Sequence, residues 1–199
     1  MKKYFYCGVI LTAVLASSLP LYGEEEPPPE IITVEGVASQ RRAAPIAALR
    51  EIDARLRGLP FSVVDGKYVN FQDQAPAAQL DTSDKKVTDV TQLQTGLYRA
   101  TVEVTAPPGM SADLGQLREE MMEGRAAIGK NRNLLDSRRR ARDLASEKAV
   151  LSTVGHLYPA GSAPPLLAGR VFYLGAVREW LEEGEYVLLA RIKIRLTEP

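Results

Sequence analysis

The chain has 199 residues, 45% of them hydrophobic, and its 25 basic residues balance 25 acidic ones. Such a balance gives no overall field to steer the chain onto nucleic acid or an anionic membrane, so we expect no nucleic-acid partner. The length suits one domain of ordinary size, and a single cysteine excludes a disulfide framework.

The N-terminus has the three parts of an export signal. Lys2 and Lys3 supply positive charge, residues 7–16 form an apolar run too short to span a bilayer, and small residues follow. Cleavage after Ala16 and cleavage after Gly23 both fit. Gly23 is favoured because acidic residues begin directly after it, and residues 1–23 are therefore predicted to be a signal peptide. An uncleaved anchor is the alternative.

Export determines several further expectations. We predict a periplasmic or outer-envelope location, with membrane contact only transient and through the signal peptide. Cys7 stands at the start of the apolar run and not after it, so it cannot be the first residue of a mature lipoprotein. As the only cysteine, it is removed with the signal peptide, and the processed chain lacks thiol chemistry. Residues 24–30 (EEEPPPE) are predicted to be a stiff, extended, solvated spacer, because consecutive prolines favour polyproline II.

The first half of the following segment alternates between strand and helix signals. Residues 31–37 are rich in β-formers, and a helix is predicted from Pro45 to Leu56, ended by Gly58. Asp65-Gly66 between β-formers predicts a tight hairpin over residues 63–69. Residues 72–86 are polar and predict a mobile loop. A second hairpin is predicted from strands 87–93 and 97–105 around residues 94–96.

The second half predicts helices followed by a long hairpin. Ser111 can cap a helix that carries Leu114, Leu117, Met121 and Ile128, and a break is expected over residues 129–134. A stronger helix is predicted over residues 136–154. Strands 170–181 and 185–196 turn at residues 182–184, and alternate residues of the last strand form one apolar face: Tyr186, Leu188, Ala190, Ile192, Ile194 and Leu196.

This order predicts one α+β domain over residues 31–199, with a mainly antiparallel sheet and helices packed on one face. Within it, Gly124, Gly129 and Lys130 match the spacing of a phosphate-binding loop. That function is rejected because residues 117–123 are predicted to be helical and Asn131 replaces the required hydroxyl. Nucleoside triphosphates are also scarce outside the cytoplasm.

No constellation of catalytic or metal-binding residues is recognisable. His156 is the only histidine, and its position after a helix indicates a C-terminal capping role. Glu182, Glu183 and Glu185 are predicted to be solvated at a hairpin tip. We therefore predict no catalytic, cofactor-binding or metal-binding residue and no cofactor. A carboxylate pair formed only in space remains the alternative.

Arg138–Arg140 and Arg142 form the densest basic patch, interleaved with acids, which predicts a salt-bridged, solvated helix face. Contact with an acidic partner or with acidic lipid headgroups is the alternative interpretation. Trp180 lies beside the last turn and is predicted to cap one end of the core.

Two stretches resemble known envelope families. The strand ITVEGVA at residues 32–38, two Ala/Arg-rich helices and the segment VREWLEEGEYVLL at residues 177–189 resemble the lipoprotein-20-like domains, which include the N-terminal domain of a flagellar assembly protein. The chain departs from the lipoproteins in lacking a lipobox. The ITV-x-G start and the strand at residues 98–104 are also similar to SIMPL-type periplasmic proteins. Both resemblances imply an α+β binding or assembly module without catalytic residues.

The function predicted from these observations is that of a non-enzymatic exported cell-envelope protein. It would act through protein–protein contacts with envelope proteins or by self-association, in the assembly of an envelope or flagellar structure. The alternatives are a small periplasmic hydrolase with an undetected carboxylate pair, and a SIMPL-like stress-related or ligand-carrying protein.

Overall fold

The computed structural model describes residues 29–70, 84–106, 114–115, 117–159 and 163–197. Eight strands and three helices occur there, and every strand pair is antiparallel, which confirms the predicted α+β class with mainly antiparallel sheet. The strands are β1 (Glu30–Ala38), β2 (Leu59–Val64), β3 (Lys67–Asn70), β4 (Lys86–Gln92), β5 (Tyr98–Ala106), β6 (Glu119–Ala127), β7 (Leu166–Glu182) and β8 (Glu185–Thr197). The helices are α1 (Ala44–Arg50), α2 (Ile52–Leu56) and α3 (Leu134–Leu157).

The predicted signal peptide lies outside the described residues, as does most of the predicted loop at 72–86, of which Lys86 already belongs to β4. Within the described residues, no helix is long and apolar enough to cross a membrane.

The strands divide between two sheets: α1 packs on the first, α3 packs on the second, and α2 contacts both, including β7 of the second. A three-stranded sheet with the order β1-β5-β4 packs against α1 and α2 through a small core: Ile32, Val34, Ala48, Ile52, Leu56, Val102 and Val104. A five-stranded sheet with the order β3-β2-β7-β8-β6 packs against α3. The core under α3 includes Phe61, Val150, Tyr186, Leu188 and Ile192. The predicted apolar face of β8 is therefore confirmed at its buried positions.

Two glycines allow the helices to lie close to the strands. A Cβ atom on Gly36 of β1 would come within 1.9 Å of the backbone nitrogen of Ala48 in α1. A Cβ atom on Gly124 of β6 would come within 1.8 Å of the carbonyl oxygen of Ala141 in α3. Because no side chain separates backbone from backbone at either point, each helix is fixed in position along its sheet.

The three hairpins were predicted at the right places. Asp65 and Gly66 have φ angles of 48° and 76°, and Glu183 and Gly184 have 49° and 80°. Positive φ at both central residues is what a two-residue hairpin turn requires to match the twist of its strands. The middle hairpin joins β4 to β5, with Gly96 at a φ of 85°.

Two helix predictions need correction. The helix predicted from Pro45 to Leu56 is divided at Glu51, whose φ and ψ of −86° and −3° end α1. The helix predicted through Leu117 and Met121 is wrong, because residues 119–127 form the edge strand β6, paired with β8. Pairing with a strand some sixty residues later overrides a weak local helical spacing.

Candidate functional site

A groove of about 450 Å³ separates α1 from the first half of α3. Its apolar lining comes mainly from the end of β1 and from α1, and includes Val37, Ala43, Ile46 and Ala47. Of the described residues that line the same groove, four are arginines (Arg50, Arg138, Arg139 and Arg142) and one, Glu51, is acidic. The end of α1 and the first half of α3 therefore present a basic surface around an apolar strip.

A buried carboxylate lies beneath this groove. The side chain of Glu179 in β7 is 0% exposed, and Arg138 binds it with two hydrogen bonds, Nε to Oε2 at 2.9 Å and Nη2 to Oε1 at 3.0 Å. Arg99 of β5 donates from Nη2 to Oε1 at 3.2 Å. The hydroxyl of Tyr186 donates to Oε2. One carboxylate thus joins α3, the three-stranded sheet and the five-stranded sheet.

These contacts determine the charge of Glu179. Burial alone would raise the pKa of its carboxyl, but the charge of Arg138 and the hydrogen bonds from Arg138 and Tyr186, together with the charge of Arg99, outweigh that effect. The pKa of Glu179 is therefore lowered, and the carboxylate is ionised at neutral pH. Burial and the neighbouring carboxylate raise the pKa of the Tyr186 hydroxyl, so that it remains a hydrogen-bond donor.

A second ion pair closes the side of the groove next to α1. Nη1 of Arg142 lies 3.0 Å from both carboxylate oxygens of Glu51, and the guanidinium is 5.7 Å from the centre of the Tyr173 ring. Arg142 Nε is also 3.8 Å from Asp143. Arg142 and Glu51 therefore neutralise one another where α1 ends against α3.

The rim of the groove carries charge that is not neutralised in this way. Arg50 and Arg139 are exposed, and neither forms an ion pair or hydrogen bond with a described residue. Arg41 and Arg42, in the short 3-10 turn before α1, are also exposed but do not line the groove. Because guanidinium groups bind carboxylates in a planar, two-pronged geometry, this rim can hold an acidic group.

The basic patch predicted as a solvated helix face is thus divided. Arg139 and Arg140 are exposed as predicted, whereas Arg138 and Arg142 point into the interior and bind Glu179 and Glu51. The sequence reasoning missed Glu179 altogether. The register of the last hairpin could have predicted that Glu179 is buried. Glu179 pairs with Leu188, and residues paired across two strands lie on the same face of the sheet.

The residues of the apparent phosphate-loop pattern do not form a cradle. Gly124 lies within β6 opposite Leu188, and α3 begins only at Leu134, four positions beyond Lys130. The segment before Gly124 is strand rather than helix, so that reason for rejecting the motif was wrong. A hydrogen-bonded strand residue packed against Ala141 nevertheless leaves no free loop for a phosphate.

The other singled-out residues lie away from the groove. His156 belongs to the last turn of α3 and is exposed, so it is a helical residue and not one that follows the helix. Arg125 binds Glu182 at 2.9 Å and lies 3.7 Å from Glu185, which makes these two hairpin-tip acids part of a surface ion-pair cluster. Trp180 is partly exposed, with the Arg178 guanidinium 5.1 Å from its ring centre, and it does not belong to either core.

Among the described residues, no group of three or more histidine, cysteine, aspartate or glutamate side chains is placed to hold a metal ion. Comparison with known proteins found no matching family model, no matching curated protein and no matching solved structure. The resemblances to the lipoprotein-20-like and SIMPL-type families stay predictions.

Proposed function

We propose that this chain is an exported, non-enzymatic cell-envelope protein that binds a protein partner through the groove between α1 and α3. The observation that carries the proposal is the contrast between the base and the rim of the groove. At the base, arginines are neutralised by Glu179 and Glu51, whereas Arg50 and Arg139 at the rim have no acidic partner among the described residues. An acidic partner segment would complete the rim.

Binding suits this geometry better than carboxylate catalysis. A general acid at neutral pH needs a raised pKa, whereas the pKa of Glu179 is lowered and its oxygens are occupied by Arg138, Arg99 and Tyr186. Glu51 is held by Arg142. Neither carboxylate is placed to give or take a proton from a substrate, so the alternative of a carboxylate-pair hydrolase has no support in this groove.

The apolar strip adds a second requirement for the partner. Ile46 is 56% exposed on α1 and lines the groove beside Ala43 and Ala47. A segment that combines carboxylates with an apolar side chain would satisfy both parts of the surface, which is the usual composition of a protein interface with a charged rim. Such contacts would serve the assembly of an envelope or flagellar structure, the role that the lipoprotein-20-like resemblance implies.

A peptide-binding measurement tests this function. A fluorescein-labelled peptide of alternating glutamate and leucine should bind the chain beginning at residue 24, and fluorescence anisotropy would measure its Kd. Replacing both rim residues, Arg50→Glu and Arg139→Glu, should weaken binding at least tenfold, and added salt should weaken the binding of the unchanged chain. The matched control reverses two exposed charges outside the groove, Lys67→Glu and Arg140→Glu, and should leave Kd within about twofold.

The same variants distinguish a protein partner from a lipid one. Phosphatidylglycerol vesicles that bind more tightly than the peptide, with binding lost in the rim variant, would replace the proposed partner by a membrane surface. Equal peptide binding by the rim variant and the control would show that the groove is not the site.

A further inference from the structure

The chain contains an acidic segment of its own that matches the groove. Glu24, Glu25 and Glu26 are consecutive, three prolines follow, and no basic residue occurs between them and Arg41. These three glutamates lie outside the described residues and precede β1, which begins at Glu30. Three adjacent carboxylates complement a rim that carries Arg50 and Arg139.

The Val37 end of the groove lies beyond the reach of the acidic segment of the same copy. The groove is lined by Val37 at the far end of β1, about 23 Å from Glu30 at the rise of a strand. Fully extended, Glu26 reaches only about 14 Å from Glu30 and Glu24 about 21 Å. The glutamates of the same copy therefore cannot extend to the Val37 end of the groove, whereas the segment of a second copy has no such restriction.

We infer that Glu24–Glu26 of one copy dock in the groove between α1 and α3 of another copy, so that the chain assembles head to tail. This inference rests on the groove being the binding surface of the proposed function. Three consecutive prolines lose little conformational freedom when a neighbouring segment is bound, which lowers the entropic cost of docking. This contact joins the acidic segment of one copy to the groove of another. Each copy can therefore bind one neighbour through its segment and a second through its groove, and the product is an open chain or a closed ring.

A charge-swap experiment tests this assembly. The tail variant carries Glu24→Lys, Glu25→Lys and Glu26→Lys, and the groove variant carries Arg50→Glu and Arg139→Glu. Sedimentation velocity over a range of protein concentrations should show self-association of the unchanged chain and at least a tenfold weaker association of each variant alone. Mixed in equal amounts, the two variants should associate again, because the lysine tail fits the reversed groove and the glutamate tail fits the original one.

The surface-matched control, Lys67→Glu with Arg140→Glu, should associate like the unchanged chain, and 0.5 M salt should weaken association in every associating sample. Association that persists in either variant alone, or a mixture that stays monomeric, would overturn the inference. If the unchanged chain is monomeric but still binds the glutamate–leucine peptide with loss in the groove variant, self-assembly fails while the proposed function stands. If the unchanged chain neither binds the peptide nor self-associates, both the inference and the proposed function are wrong.

Discussion

At the scale of single residues, Glu179 is the most consequential side chain in the molecule. Its carboxylate is the shared partner of Arg138 and Arg99, and its side chain is fully buried. A buried ion pair offers no large net stabilisation over an apolar group, but removal of one partner leaves charge uncompensated in a medium of low dielectric constant. The main consequence of removing Glu179 is therefore the uncompensated charge that would remain on Arg138 and Arg99.

Glu179→Gln should lower the free energy of unfolding by about 3–5 kcal/mol, because Arg138 and Arg99 would lose their buried counter-charge. Urea denaturation of the chain beginning at residue 24 measures this. The control is Glu119→Gln, which removes the exposed ion pair with Arg191 and should cost no more than about 1 kcal/mol. A Glu179→Gln chain as stable as the control would show that the buried cluster carries no such role.

The lowered pKa of Glu179 also predicts how its contribution to stability changes with pH. Because the folded pKa of Glu179 is lowered from the ordinary 4.5, its contribution is complete above that value and is lost as pH falls through the folded pKa. The stability difference between the unchanged chain and Glu179→Gln should therefore be constant from pH 7 to about pH 5.5 and shrink at lower pH. A difference that grows on acidification would contradict the lowered pKa.

At the scale of elements, the hairpins were predictable and β6 was not. Asp65-Gly66 and Glu183-Gly184 encode their turns locally, since few residue pairs tolerate positive φ at both positions. Among the described strands, β6 lies at an edge and pairs with β8 alone, and nothing in its own residues indicates that pairing. The division into two sheets is likewise non-local, and so is the meeting of Arg99, Arg138 and Glu179 from three elements.

Because residues 119–127 form a strand and not the predicted helix, Gly124 has a different structural role. A glycine inside the predicted helix would only lower the stability of that helix, whereas in the strand Gly124 is the point where α3 contacts β6. Gly124→Ala should destabilise the fold by about 1–3 kcal/mol or more, since the new methyl group meets a backbone carbonyl and not a flexible side chain. Thermal unfolding followed by circular dichroism would measure the loss.

Gly155 supplies the matched control for this prediction. It lies in the last turn of α3, and a Cβ there meets nothing within 4 Å. Gly155→Ala should therefore stabilise the chain by up to about 1 kcal/mol through helix propensity alone. Equal effects of the two substitutions would mean that α3 does not rest on Gly124.

At the scale of the whole molecule, the two sheets share side-chain contacts. Leu97, directly before β5, is buried in the core under α3, and Val37 of β1 packs against the same core. The hydrogen bond from Arg99 to Glu179 crosses between the sheets. The three-stranded sheet therefore contributes side chains to the core of the five-stranded one, and α2 contacts β7 as well.

This junction predicts that both sheets unfold in one step. Val102 lies in the central strand of the three-stranded sheet, and Leu188 lies in β8, which has a partner on each side. Native-state hydrogen exchange should give the two amides opening free energies within about 1 kcal/mol of each other and of the global value from urea. The urea transition followed by fluorescence of Trp180, the sole tryptophan, should coincide with that followed by circular dichroism. An opening free energy for the Val102 amide well below the global value would contradict this prediction. It would show that the three-stranded sheet opens independently, together with the α1 side of the groove.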